Sequence, residues 1–191
     1  MKKDLSLRLG VGNDRLFMND SVVLVDEQNN PIGTADKNTV HTQHTPLHRA
    51  FSLFLFNSKK QLLLTKRAAT KKTFPGVWTN TVCGHLAPEE SPVDAAKRRL
   101  KDELGIEGAK VKEVAPYRYR FMDKNGIVEN EICPILVSYF DGDPMPSPSE
   151  VDEWKWMDWQ EFLQEIKTNH DQYSPWSREE AIIVQRVVPR G

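Results

Sequence analysis

The run Ser52-Leu53-Phe54-Leu55-Phe56 is almost wholly apolar and does not alternate with polar residues, so it reads as a strand buried within the fold. Asn57-Ser58-Lys59-Lys60 supplies a turn, and Gln61 to Lys66 a return strand. Strands of this kind need other layers packed over them, which points to a sheet carrying helices. One helix is well marked. Ser91 is its N-cap, Pro92 sits in its first turn, Asp94 follows at the third position and Gly105 stops it. Val93, Ala96, Leu100 and Leu104 fall on one stripe, and Arg99 and Glu103 stand together on its flank.

Further strands are expected at Val22 to Val25, at the aromatic alternation Tyr117 to Phe121, along Glu131 to Phe140 as one apolar run, and around Trp154 and Trp156. Turns are expected over residues 26–33 and at Asp123-Lys124-Asn125-Gly126. A second helix is expected over Gln160 to Lys167, and a third after Tyr173-Ser174-Pro175-Trp176, opened by a Ser177/Glu180 capping box. Pro144-Met145-Pro146-Ser147-Pro148-Ser149 reads as an inserted loop. The expected class is α/β (α+β): one mixed β-sheet with flanking helices over residues 19–188, after a flexible lead-in over residues 1–18.

A formal net charge of −1 supplies no field for nucleic acid or anionic lipid, and no apolar run reaches membrane-spanning length. The N-terminus lacks the apolar stretch of a secretory signal, and two cysteines, Cys83 and Cys133, are too few for a disulfide framework. A cytoplasmic monomer acting on a small molecule, with no nucleic acid and no membrane, is the expectation.

Chemistry-bearing residues gather in three places. His41-Thr42-Gln43-His44-Thr45-Pro46-Leu47-His48 and Val82-Cys83-Gly84-His85 bring imidazoles and a thiol, and Val128-Glu129-Asn130-Glu131 brings two carboxylates. Imidazole nitrogen and carboxylate oxygen suit a divalent transition metal. On residue type alone, a metal site and ordinary polar packing both remain open. Cys83 reads either as a reactive thiol or as a small buried hydrophobe, and Cys133 as the latter. Trp154, Trp156 and Trp159 read as packing.

The stretch from Gly84 through Glu90, Arg98 and Glu103 to Gly105-Ile106 resembles the Nudix signature. Arg99 stands where that signature has a glutamate, and Asp102 where it has the first of its paired acids. An arginine there removes a metal ligand and adds a phosphate donor, which argues against diphosphate hydrolysis. The longer motifs Phe74 to His85, Tyr119-Arg120, Gly126 to Pro134 and Tyr173 to Trp176 occur in order and closely resemble the type I isopentenyl-diphosphate isomerase family over roughly residues 20–185.

That resemblance implies a Nudix-like architecture and the interconversion of isopentenyl and dimethylallyl diphosphate. It implies a transition metal (Mn2+ or Zn2+) on His41, His48, His85, Glu129 and Glu131, with His44 left out. It implies Cys83 and Glu131 as proton carriers, assisted by Tyr119. Mg2+ on Glu103 would meet the substrate diphosphate, Lys37, Arg67, Lys71 and Arg99 would grip it, and Trp176 would face the hydrocarbon. The rival expectations are a Nudix hydrolase and a non-catalytic diphosphate-binding module.

Overall fold

The structure, a computed structural model, describes residues 21–187, so the N-terminal lead-in expected over residues 1–18 lies outside the described residues. In chain order the elements are β1 (Ser21–Val25), β2 (Pro31–Asp36), α1 (Lys37–Val40), β3 (His48–Phe56), β4 (Gln61–Arg67), β5 (Trp78–Thr79), β6 (Val82–His85), α2 (Pro92–Leu104), β7 (Lys110–Ala115), β8 (Arg118–Met122), β9 (Val128–Ile132), β10 (Ile135–Tyr139), β11 (Val151–Asp158), α3 (Trp159–Thr168) and α4 (Pro175–Val187). A 3-10 turn, His170–Gln172, joins the last two helices.

β3 is the hub. Its apolar run is continuous because both faces are covered. Phe54 and Phe56 join Leu62, Leu64, Phe162 and Val184 on the side of α3 and α4. Phe51, Leu53 and Leu55 join Leu63, Ala96, Leu100 and Leu104 on the side of α2. The two-residue period of the strand deals its side chains alternately to two cores. The return strand β4 lies antiparallel to β3 but shares only the pair Phe56↔Leu62 with it. Its main partner is β11, from Val151↔Arg67 to Asp158↔Gln61. The strands of the expected hairpin splay, and β6 takes the place beside β3, with Ser52 opposite Cys83 and Ala50 opposite His85.

Two expectations are corrected. Residues 131–140 do not form one strand. They divide at Cys133-Pro134 into β9, which pairs with the start of β3 through His48↔Glu131, and β10, which pairs with its second half through Ile135↔Ser52. Pro134 has no N–H to continue a ladder, and its carbonyl instead accepts from the Ser52 amide. The capping box is also misplaced. α4 starts at Pro175, with Ser174 Oγ accepting from the Ser177 amide at 3.4 Å. Ser177 and Glu180 lie inside the helix and are buried. Proline at the first helical position explains the earlier start.

α2 matches its sequence marks. Ser91 accepts from the Asp94 amide, and Gly105 takes φ 65° while its amide returns to Leu100 and Lys101. A side chain at that left-handed position is strained. The proline-rich loop packs on this helix end: the Met145 amide donates to Leu104 O at 2.8 Å, and that of Ser147 to Glu103 O at 2.7 Å. The loop thereby satisfies carbonyls that a helix leaves open. No helix among the described residues is long and apolar enough to cross a membrane.

Candidate active site

Strand register assembles the site. β3 opens with His48, β9 sets Glu131 beside it, and β6 brings His85 and Cys83 along the other edge. The antiparallel β8–β9 pair sets Tyr119 opposite Glu131 and Phe121 opposite Glu129. The short helix α1, which sequence patterning does not anticipate, is capped by Asp36 and delivers His41 at its end. The three rings close into a triangle, with centroids 5.2 Å (His41–His48), 5.0 Å (His41–His85) and 4.9 Å (His48–His85) apart. One donor atom from each of His41, His48, His85, Glu129 and Glu131 lies within 4.8 Å of every other. His44 is exposed and takes no part.

The donor set fits a divalent cation. His41 Nδ1 donates to Lys37 O at 3.3 Å and His48 Nδ1 to Pro46 O at 2.9 Å, which turns each Nε2 inward, 3.2 Å from Glu129 Oε2 and 3.4 Å from Glu131 Oε1 respectively. Neither Nε2 has a hydrogen-bond partner among the described residues, and neither has Glu129 Oε2. Tautomers fixed by backbone carbonyls, with bare nitrogens converging, are the usual preparation of a metal-binding histidine. Thr73 Oγ1 holds the other oxygen of Glu129 at 2.5 Å. Glu131 is shared: Oε1 lies 3.1 Å from His85 Nε2 and 3.4 Å from His48 Nε2, and Oε2 accepts from the Tyr119 hydroxyl at 2.6 Å. Burial disfavours its charge, but the contacts with His48 and His85 outweigh this and hold its carboxyl well below the usual range. Burial and the neighbouring carboxylate push the Tyr119 hydroxyl well above its ordinary value.

A cavity of about 330 Å³ opens over this centre. Cys83, Tyr119, Glu131 and Trp176 are on its wall, as are Lys37, Arg67, Lys71 and Arg99. At the inner end Trp176 stacks on Tyr119 (5.7 Å, 17°) and meets Phe74 edge-on (5.0 Å). At the other end Arg99 pairs with Glu103 (2.6 Å) and Glu150 (3.2 Å), and Lys71 also pairs with Glu150. Lys37 is drawn below its usual range by burial and by the nearby cations Arg99 and Lys71. Gly84 permits this crowding, because a Cβ there would stand 3.3 Å from both Arg99 Cγ and Phe51 Cε1.

Three expected residues differ in detail. Glu103 is buried behind Arg99 and is not on the cavity wall. Arg67 spends Nε and Nη2 on the Thr73 and Phe74 carbonyls, while its guanidinium lies 5.6 Å from the Trp176 ring centroid. It therefore holds the Thr73–Phe74 loop as well as bounding the cavity. Asp102 is exposed, so only the second of the expected paired acids turns inward.

Residue patterning misses four participants. Glu150 bridges Lys71 and Arg99 from the end of the proline-rich loop. Asn80, Ser52 and Glu180 form a buried polar group around the Cys83 thiol. Cys83 Sγ donates to Asn80 Oδ1 at 3.2 Å and lies 3.4 Å from Ser52 Oγ, which donates to Glu180 at 2.5 Å. Desolvation and the Glu180 charge push the thiol up to about 12. The Ser52 signal is its place as the one polar residue among Ala50 to Phe56.

The sequence profile of the NUDIX domain matches residues 46–177. A Saccharopolyspora erythraea protein named isopentenyl-diphosphate Delta-isomerase is 47% identical over 162 residues, covering 84% of this chain and 84% of its own. One of the same name from Kocuria rhizophila is 46% identical over 158 residues, covering 82% and 88%. Among solved structures, DR0079 from Deinococcus radiodurans superposes with a TM-score of 0.68 at 19% identity, covering 88% of this chain and 99% of that one. A MutT protein from Methanosarcina mazei gives 0.61 at 19% identity, covering 74% and 94%. The last two comparisons show the fold.

Proposed function

Since this chain belongs to the Nudix family, we propose that its cavity performs the reaction its curated relatives are named for, interconverting isopentenyl and dimethylallyl diphosphate. The observation that carries the reading is one cavity holding a thiol, a carboxylate bonded to a phenol, an aromatic wall and a cationic rim. Moving a double bond by one carbon requires a proton to arrive at one carbon and another to leave a neighbour. Protonating an unactivated alkene creates a tertiary carbocation, which water would trap.

Cys83 and Glu131 are the two proton carriers in this reading, and the Tyr119 hydroxyl, bonded to Glu131 Oε2, steadies the carboxylate between its two states. The Trp176 face, backed by Phe74 and Tyr119, excludes water and favours the cation by about 0.5–2 kcal/mol. Arg99, Lys71, Lys37 and Arg67 bind the diphosphate at the rim, where guanidinium and ammonium groups make charge-assisted hydrogen bonds to phosphate oxygens. Substrate phosphate would take over the contacts that Glu150 makes with Lys71 and Arg99.

His41, His48, His85, Glu129 and Glu131 would hold a divalent transition metal, for which three imidazoles and two carboxylates suit Mn2+ or Zn2+. Such an ion would favour the charged state of Glu131 between proton transfers and keep it aimed at the cavity. Glu103 would share Mg2+ with diphosphate oxygens once Arg99, which now covers it, turns to the phosphate; the ion prefers carboxylate and phosphate oxygen.

Purified protein given isopentenyl diphosphate, Mg2+ and Mn2+ or Zn2+ is expected to form the dimethylallyl isomer without releasing phosphate, read by NMR. Phosphate release without isomer would replace this reading with hydrolysis, which Arg99 in the signature position disfavours. Binding without turnover would leave only a diphosphate-binding module.

A further inference from the structure

Glu180 is used by none of the steps above, yet it is fully buried at 0% exposure. Its Oε1 has no hydrogen-bond partner, and no cation pairs with it, among the described residues. An acid placed so is costly to the fold. It sits on α4 one turn beyond Trp176, so the helix that presents the aromatic wall also carries this carboxyl deeper, behind β3.

We propose that Glu180 is a positioning residue that sets the Cys83 thiol through the hydroxyl of Ser52. The hydrogens available to these groups decide it. Ser52 has one to give, and it goes to Glu180 Oε2 at 2.5 Å. Ser52 Oγ also accepts from Asn80 Nδ2 at 2.9 Å. Toward Cys83 Sγ, 3.4 Å away and directly across the strand pair, Ser52 therefore offers only a lone pair.

The other neighbour of the sulfur is an acceptor too. Asn80 Oδ1 takes the thiol hydrogen at 3.2 Å, and its own orientation is fixed because Asn80 Nδ2 also donates to Leu53 O at 2.9 Å and Oδ1 accepts from Thr79 Oγ1 at 2.9 Å. The thiol thus faces acceptors only and keeps its own hydrogen, which is directed to Asn80 Oδ1 with Ser52 Oγ as the alternative acceptor. Without Glu180 the Ser52 hydroxyl is free to turn and donate to the sulfur, which occupies a lone pair and loosens the thiol's position. Glu180 does this as a carboxylate or as a neutral acid, because either form has an oxygen that accepts from Ser52.

This assignment rests on Cys83 being a proton carrier, so Cys83→Ala is measured beside it. Glu180→Leu and Ser52→Ala are each expected to lower kcat by roughly tenfold or more with KM changed by less than about twofold, since substrate contacts are untouched. The Ser52→Ala/Glu180→Leu double variant is expected to be no slower than the worse single one. Glu180→Gln, whose amide oxygen still accepts from Ser52, is expected to stay within about threefold of wild type.

Unchanged kcat in Ser52→Ala, additive losses in the double variant, or a Glu180→Gln loss as large as that of Glu180→Leu would each overturn the proposal. If Glu180→Leu fails to fold, Ser52→Ala and Glu180→Gln still decide it. An inactive Cys83→Ala beside a fully active Ser52→Ala would leave the role of Cys83 standing and remove that of Glu180. An active Cys83→Ala would remove both.

Discussion

Glu131→Gln is expected to lower kcat by roughly 10²–10⁴-fold, the range for loss of a positioned acid or base, while far-UV circular dichroism stays that of the parent. Glutamine keeps the size of the side chain and accepts from the Tyr119 hydroxyl as Glu131 Oε2 does. It cannot take up and return a proton, and it carries no charge to meet His48 and His85. The loss should therefore fall on kcat more than on KM, because the cationic groups of the cavity wall that would bind the diphosphate, Arg99, Lys71 and Lys37 among them, are untouched. Cys83→Ala should behave alike. It removes the thiol and leaves the Asn80, Ser52 and Glu180 group intact behind it. Near-normal kcat in a folded Glu131→Gln or Cys83→Ala protein contradicts the role given to that residue.

Removing metal should be as severe for activity and should also be visible in stability. The donors converge as buried atoms: His41 Nε2 faces Glu129 Oε2 at 3.2 Å and His48 Nε2 faces Glu131 Oε1 at 3.4 Å, with none of His41 Nε2, His48 Nε2 and Glu129 Oε2 in a hydrogen bond of good geometry among the described residues. Buried carboxylates and imidazoles in this state are stabilised most by a cation. A ligand at about 100 times its dissociation constant adds about 2.7 kcal/mol to folding. At roughly 2–4 °C per kcal/mol for a chain of this size, adding Mn2+ or Zn2+ to chelated protein should raise Tm by roughly 5–10 °C. Chelation should abolish turnover, and the metal should restore it. His48→Ala should remove the metal-dependent part of the Tm rise. A Tm that ignores metal, with unchanged turnover after chelation, contradicts the centre.

What sequence reading reached, and where it stopped, has a physical pattern. Elements with strong local signals emerged near their structural bounds. α2 has a capping serine, a first-turn proline and a left-handed glycine, and it begins and ends as those residues dictate. β3 was legible because its apolar residues serve two cores. The pairing was not legible. Nothing local in Gln61 to Arg67 says that its partner is β11 nearly 90 residues later, with β6 inserted beside β3.

The site divides similarly. The histidines, carboxylates and Cys83 stand out by residue type, and resemblance to a family tied them together. Ser177 and Glu180 read as a capping box because Ser and Glu at that spacing ordinarily close a helix start, whereas Pro175 moves the start back and turns Glu180 inward. Glu150 closes a proline-rich stretch that looked like an insertion. Its role follows from that loop folding over the end of α2, a tertiary event with no periodic signature.

Enzyme groups deliver and remove protons across the substrate double bond while the diphosphate stays whole. Running the reaction in D2O and following the product by NMR separates this from the alternatives. The expected product of a single turnover is dimethylallyl diphosphate with one deuterium in a methyl group and no free phosphate. Isomer formed without deuterium, or phosphate released in its place, would contradict the claim.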